Sequence, residues 1–453
     1  MNLHRLLGER MARRGRPVRV GLIGCGKFAA MFLAQARRTP GLHVAVIADL
    51  APDKAKANLA RIGWPAEQYG ASSAEDAART GATFVTDDAG QAIGAPAVDV
   101  IIEATGDPAA GIGHALAAIG AKKHIVMVNV EADVLAGPLL ALRAAEAKVV
   151  YSLAYGDQPA LICEQVDWAR ACGFEVVGAG KGTKYLPNFH YSTPDTVWGH
   201  YGIAPERALA AGMNPKMFNS FLDGTKSAIE MAAVANATGL TPQPEGLNFP
   251  PAGVHDLART CRPRAAGGQL AHSGTVEVVS SLERDGRPVV GDLRWGTWVS
   301  FAAADDYVKS CFSEYGLITD DSGRYSALWR PYHLIGLELG ISVASIACRG
   351  EATGCAQGHL ADVVAVAKRD LAAGEILDGE GGATVHGRLM PAAAARQAGG
   401  LPLGLAHHVR LKNPVKRDQP VRWADAAVEE ASLAVQVRRE LERHFADTRQ
   451  AAE

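Results

Sequence analysis

The sequence lacks any uninterrupted apolar run near the ~18 residues that a membrane helix needs, so a membrane is not an expected partner. It also lacks a charge of one sign. The 46 Lys and Arg against 48 Asp and Glu leave a formal net charge of -2, which removes the electrostatic reason to expect nucleic acid. Cysteine is sparse: seven in 453 residues, with no Cys-x-x-Cys pair. That argues against disulfide staples or a zinc knuckle and fits free thiols in a reducing cytoplasm. The opening "MNLHRLLGERMARRGRPVRV" is Arg-rich without a signal-peptide apolar core. It reads as a short amphipathic helix packed on the first domain.

What is present is a chain of ordinary globular balance, 48% apolar and 21% charged. Its length exceeds the roughly 250–300 residues at which single cores stop growing. Three domains are expected, over 1–154, 155–358 and 359–453.

The first of these alternates strand and helix signals. Strands are expected over 18–24, 42–50, 98–106, 123–130 and 148–154, with Ala-rich helices between them, the first from Lys27 to Arg38. Continuous β-branched runs separated by helices indicate a parallel sheet covered on both faces. In that setting Gly24-Cys25-Gly26-Lys27-Phe28-Ala29 reads as a G-x-G-x-x-A dinucleotide fingerprint. Gly24 makes the turn, Gly26 admits a pyrophosphate at the helix N-terminus, and Ala29 permits close helix–sheet packing. Asp49 ends the second strand, where an acid bonds the ribose 2′-OH. A carboxylate favours NAD, but Lys54 and Lys56 lie close enough in sequence to leave NAD and NADP both open. The turn Ala104-Thr105-Gly106 is expected to face the nicotinamide half.

Beyond residue 154 the pattern changes. Asp157 and Gln158 open a helix with Pro159 in its first turn. "FEVVGAGKGTKYLP" (174–187) reads as a strand followed by a Gly-rich loop presenting Lys181 and Lys184, two cations able to grip a phosphate or carboxylate. One long helix is expected over 214–239, opened by Asn214-Pro215 and stopped by Gly239. Along it Asp223, Lys226 and Glu230, spaced three and four, form a polar stripe. In so apolar a helix such a stripe suits a cleft, whereas an ordinary solvated salt-bridge ladder is the plainer alternative. "GTVEVVSSLERDGRPVVGDLRWGTWVSFAA" alternates like a hairpin turning at "DGR". The stretch 325–347 reads as a helix with Arg330 and His333 at its start. From about 360, short strands with Gly-rich turns suggest a small β-rich module closed by a charged terminal helix. The fold class is therefore α/β: a doubly wound Rossmann-type sheet, an α+β catalytic domain and a small β-rich module.

The blocks "GLIGCGKFAAMF", "VMVNVEADVLAGP", "YSLAYGDQPALICE", "GKGTKYLP", "FLDGTKSAIEMAAVANATGL" and "AKRDLAAGEILDG" together resemble the homoserine-dehydrogenase-like NAD(P)-binding oxidoreductases with a C-terminal SAF domain. Among these the similarity is greatest to the 1-deoxy-D-xylulose 5-phosphate reductoisomerase-like enzymes. That resemblance implies NADPH, with NAD not excluded, and a divalent metal, Mg²⁺ or Mn²⁺. It also implies a phosphorylated ketose rearranged and reduced to 2-C-methyl-D-erythritol 4-phosphate, an isoprenoid precursor. One departure stands out. Where homoserine dehydrogenases carry a Thr-Ala-Asn-Lys-type segment, this chain has Val128-Asn129-Val130-Glu131. The lysine is lost, which turns the expectation away from homoserine and shifts cationic duty to Lys181, Lys184 or Lys226.

The expected site follows. Gly24 to Ala29 hold the pyrophosphate, and Asn129 and Glu131 join the Ala104–Gly106 turn around the nicotinamide. Lys181 and Lys184 hold the substrate's anionic group or polarise its carbonyl. Lys226, tuned by Asp223 and Glu230, serves proton transfer or orientation. Asp157 completes the catalytic candidates. For a metal, Glu131, Asp133, Asp157 and Glu164 are available, but no spacing singles out a ligand set. The expected partner is a small phosphorylated or anionic substrate, bound by a cytoplasmic homo-oligomer. The alternatives are a dehydrogenase of another sugar acid, polyol or semialdehyde, and a non-enzymatic dinucleotide-binding protein working through its SAF module.

Overall fold

The computed structural model describes residues 2–450. The chain forms two compact units, Met1–Leu161 with Leu334–Ala356, and Ile162–His333 with Gln357–Glu453. Residues 334–356 thus belong with the first unit, and the β-rich C-terminal segment belongs with the second. No helix among the described residues is long and apolar enough to cross a membrane.

The first unit is built on six strands: β1 Val18–Ile23, β2 Leu42–Ala48, β3 Phe84–Thr86, β4 Val100–Glu103, β5 His124–Met127 and β6 Tyr151–Leu153. They pair in parallel in the order β3-β2-β1-β4-β5-β6. This is the order of dinucleotide-binding sheets, with the reversal beside β1. The β-branched runs lie where a sheet covered on both faces puts them, for Val20, Leu22, Ile47, Ile101 and Ile102 are fully buried. β3 escapes the sequence reading because three residues are too few for a periodic signal. The opening helix Leu3–Arg14 is amphipathic as expected, burying Leu3 and Leu7 in this unit's core.

The second unit contains the sheet β10-β9-β7-β8, formed by β7 Glu175–Thr183, β8 Thr275–Ser280, β9 Thr297–Ala302 and β10 Tyr325–Arg330. Three expectations are corrected here. The Gly-rich stretch is no loop: β7 runs through it to Thr183, so Lys181 is a strand residue. β8 and β9 are not hairpin partners, since each pairs with β7, one in parallel and one antiparallel. The "DGR" turn is real but local, closed by Glu283 N–H on Arg287 O. Residues 325–330 form edge strand β10, and the helix expected there starts only at Gly340.

Alternate glycines explain β7. A Cβ on Gly178 would meet Leu270 at 2.7 Å, one on Gly180 the Glu277 carbonyl at 1.7 Å, and one on Gly182 the Leu293 carbonyl at 1.9 Å. Backbone therefore lies against that side of the strand, where any side chain would clash.

The long helix over 214–239 is also corrected: it is two, Pro215–Leu222 and Thr225–Thr238. Asn214 caps the first and Gly239 stops the second, as the punctuation implied. Between them Gly224 takes φ 86, and the Asp223 carboxylate accepts the Thr225 N–H at 2.9 Å. Asp-Gly thus ends one helix and caps the next.

The β-rich segment pairs β11 Ala361–Ala367 with β13 Val385–Pro391, and β12 Ile376–Asp378 with β14 His407–Arg410, all antiparallel. It is followed by the helix Leu433–Gln450.

Candidate functional site

In the first unit the fingerprint forms a strand-to-helix turn. Gly24, at φ 89, needs the left-handed region, and a Cβ there would sit 2.7 Å from the Ala104 carbonyl. Gly26 is different. It precedes the helix Lys27–Ala36 with φ -76, and an added Cβ would meet no protein atom within 4 Å. Neither conformation nor packing within the protein requires glycine at 26. The position presents bare backbone at a helix N-terminus, where amide N–H groups and the helix dipole favour an anion. Within the helix Lys27 is exposed, Phe28 half-buried and Ala29 buried. Cys25 is buried, and burial with the nearby Asp49 charge pushes its thiol up to about 12, so it has no nucleophilic character.

Asp49 follows β2 as expected and is tied to the turn. Its carboxylate accepts the Cys25 N–H at 2.7 Å and the Ala51 N–H at 2.9 Å. Asn58 holds the next peptide of the turn, donating to the Cys25 carbonyl at 2.8 Å. Nothing in the motif's spacing pointed to Asn58.

The turn Ala104–Gly106 follows β4 and is anchored from below by Glu103, which is fully buried. Its Oε1 accepts the Thr105 hydroxyl at 2.5 Å and lies 3.2 Å from His114 Nδ1. Asn129 is buried, and its side chain is used structurally. Its Oδ1 accepts the Ala132 N–H at the head of the helix Val130–Glu146, and its Nδ2 donates to the Asp107 carbonyl at 2.8 Å. It therefore clamps the 105–107 loop. Glu131 is half-buried in the first turn of that helix. Asp133 is completely buried and accepts the Tyr151 hydroxyl at 2.9 Å. Asp157 is buried before the helix Gln158–Ala171, with its carboxylate on the Gln158 N–H, and Glu164 is exposed on that helix.

In the second unit the expected stripe is redistributed. Glu230 pairs with Lys181 of β7, both side chains buried. Asp223 pairs at 2.8 Å with Lys368, which also donates to the Ser192 and Gly382 carbonyls. Each carboxylate is thus held by a lysine from another element. Lys226 stands half-buried in the first turn of the helix Thr225–Thr238. Lys368 follows β11, and its role could not be seen in sequence because 145 residues separate it from Asp223. His190 and His386 add a stacked pair beside this cluster, 4.7 Å between centroids. Burial depresses both imidazoles, and Lys368 presses the same way. Lys181 and Lys184 make separate contacts: the first pairs with Glu230, while Lys184 is half-buried and donates to the His200 carbonyl at 2.6 Å.

Among the described residues no three His, Cys, Asp or Glu side chains are gathered as a metal site. The carboxylates considered for a metal do not form one.

With this geometry in place, comparison with known proteins adds the catalytic class. Residues 156–339 match the family model described as oxidoreductase DRL, catalytic domain. Residues 362–427 match the SAF domain. The chain carries an oxidoreductase catalytic domain followed by a SAF domain. Comparison with curated proteins gives no match.

Similar solved structures include myo-inositol dehydrogenase from Lactobacillus casei, in complex with NAD(H) and myo-inositol: 15% identity over 40% of this chain and 50% of that one, TM-score 0.29. An NAD binding oxidoreductase from Klebsiella pneumoniae shares 20% identity over 39% and 47%, TM-score 0.29. A Thermotoga maritima protein described as a probable dehydrogenase shares 13% over 74% and 90%, TM-score 0.37. The chain spans about half the length of the first two. Likeness at these scores says nothing of substrate.

Proposed function

We propose that this chain is a nicotinamide-dinucleotide-dependent oxidoreductase acting on a small phosphorylated or otherwise anionic carbonyl compound. The observation that carries this reading is Gly26: a glycine that the protein's own packing does not require, at the head of a helix in the turn of a 3-2-1-4-5-6 sheet. The match of residues 156–339 to an oxidoreductase catalytic domain supports it.

The residues divide the work as follows. The backbone from Gly24 to Ala29 receives the pyrophosphate. Asp49, held by two backbone N–H groups, keeps lone pairs for the ribose hydroxyls and repels a 2′-phosphate. Lys54 and Lys56 are exposed on the helix Pro52–Arg61. We therefore take NADH as the preferred cofactor, against the NADPH that the resemblance implies. Glu103 and Asn129 fix the 104–107 loop beside which the nicotinamide would lie. The dinucleotide supplies a hydride when bound. Lys226 holds the proton that must reach the substrate oxygen. The substrate that the resemblance puts first is 1-deoxy-D-xylulose 5-phosphate, reduced and rearranged to 2-C-methyl-D-erythritol 4-phosphate. No step is assigned to a metal.

The test is cofactor oxidation followed by absorbance, with that ketose, NADH or NADPH, and Mg²⁺ or Mn²⁺ added. Turnover faster with NADH is expected. Turnover of a sugar acid, polyol or semialdehyde instead would keep the oxidoreductase and replace the substrate. Absence of dinucleotide binding would overturn the whole reading.

A further inference from the structure

The loop at 291–296 brings a second cation to Lys184. Gly182 lets that loop lie on β7: a Cβ there would stand 3.0 Å from the Arg294 backbone nitrogen, and the Gly182 N–H bonds the Gly296 carbonyl at 3.1 Å. Arg294 is thereby fixed beside the end of the strand whose next residues include Lys184. Both cations then share one aromatic ring. Lys184 Nζ lies 5.3 Å and the Arg294 guanidinium 5.8 Å from the Tyr201 centroid, and Arg294 also lies 4.7 Å from the Trp295 ring.

Neither cation forms an ion pair with any described carboxylate, unlike Lys181 and Lys368 of the same unit. The nearest acid in sequence, Asp292, accepts the backbone N–H of Arg294. Both side chains are half-buried, and the ring faces hold them at modest gain. A half-buried cation without a counter-ion is unfavourable, and a second one within electrostatic reach adds to the cost. Burial and the charge of Arg294 accordingly lower the Lys184 ammonium, and burial and Lys184 lower His200.

We propose that Lys184 and Arg294, seated on Tyr201 and Trp295, form the binding site for a phosphate monoester. This deepens the reading above, on which it rests for the claim that the phosphate belongs to a substrate. Two cations of different shape suit a dianion: the guanidinium fork takes two oxygens and the ammonium a third. The aromatic platform orients the fork without neutralising it. The site also reassigns the sequence expectation, since the partner of Lys184 in gripping an anion is Arg294 and not Lys181.

The probe is inorganic phosphate, titrated calorimetrically into the full chain in a Gly26→Val background, so that the dinucleotide turn does not contribute. Lys184→Gln and Arg294→Gln are each expected to weaken phosphate binding at least about tenfold, the scale of one lost charge-assisted hydrogen bond. Lys412→Gln, an exposed lysine elsewhere in the same unit, is expected to leave it unchanged. Arg294→Lys keeps the charge without the fork and falls between. Melting curves identify any variant that fails to fold, and Lys184→Gln and Arg294→Lys provide independent readings if Arg294→Gln does so. Equal phosphate affinity in all folded variants would overturn the proposal. So would acetate competing as well as phosphate, which marks a general anion patch. Dinucleotide binding, measured on each variant with Gly26 intact, separates the two readings. If the unmodified chain binds no dinucleotide yet phosphate binding depends on Lys184 and Arg294, the oxidoreductase reading fails and this site stands.

Discussion

Gly24 and Gly26 are two residues apart and do different work. Gly24 is required by its own backbone, since φ 89 and a carbonyl 2.7 Å from its absent Cβ leave no alternative. Gly26 has ordinary dihedrals and open space, so neither its backbone nor the protein's packing demands a glycine there. Gly26→Val is therefore expected to fold with an unchanged melting temperature while dinucleotide affinity falls at least tenfold; calorimetry on the folded variant decides it. Unchanged affinity would remove the pyrophosphate from this turn. The glycine pair and Asp49 were legible in sequence because a local motif has fixed spacing. Asn58, Glu103 and Arg294 were not, because each acts by a contact that only the folded chain creates. Asn129 was legible as a residue beside the Ala104–Gly106 turn, but not as the helix cap and loop clamp that it forms. Its amide is taken up by a helix cap and a loop carbonyl.

Elements show where periodicity helps and where it misleads. The parallel strands of the first unit were readable because each is a β-branched run bounded by helices. The alternating face of the supposed hairpin gave two real strands but the wrong partner, since strand sequence does not say that β7 inserts between them. Reading one helix through 214–239 joined Asp223, Lys226 and Glu230 into a stripe, whereas in the fold Asp223 pairs with Lys368 and Glu230 with Lys181. Two variants separate these roles. Lys181→Met strands the buried Glu230 carboxylate and is expected to cost about 3–5 kcal/mol of stability. Lys226→Met, on a helix position where Met is a good former, is expected to change stability little and to lower kcat/KM by about 10²-fold. Denaturant melts with initial rates distinguish them, and a normal rate for folded Lys226→Met would withdraw the proton-transfer role.

At the scale of the whole molecule, each unit holds a buried carboxyl whose pKa is raised by burial. Asp133 in the first unit and Glu277 in the second are fully buried, and burial pushes each up to about 7. The Tyr151 hydroxyl pulls Asp133 back, and the N–H groups of Val278, Asn248 and Phe249 pull Glu277 back. Unfolded carboxyls titrate near 4. Between roughly pH 4 and 7 the native chain holds protons that the unfolded chain releases, so these groups make stability fall as pH rises through that window and level off above it. Total stability need not follow that slope, because Asp99 and Asp362 are shifted down by arginines and contribute the opposite sign. A difference between variants isolates the term. Asp133→Asn keeps an acceptor for Tyr151 and carries no charge at any pH. Relative to the parent chain it is expected to gain about 2–3 kcal/mol between pH 5 and pH 8, each pKa unit being worth about 1.4 kcal/mol. Glu277→Gln is expected to show the same direction from the other unit, offset by weaker acceptance of its backbone donors. Urea melts at the two pH values measure both, and a variant-minus-parent difference that does not move with pH would show that these acids are not held protonated in the folded chain.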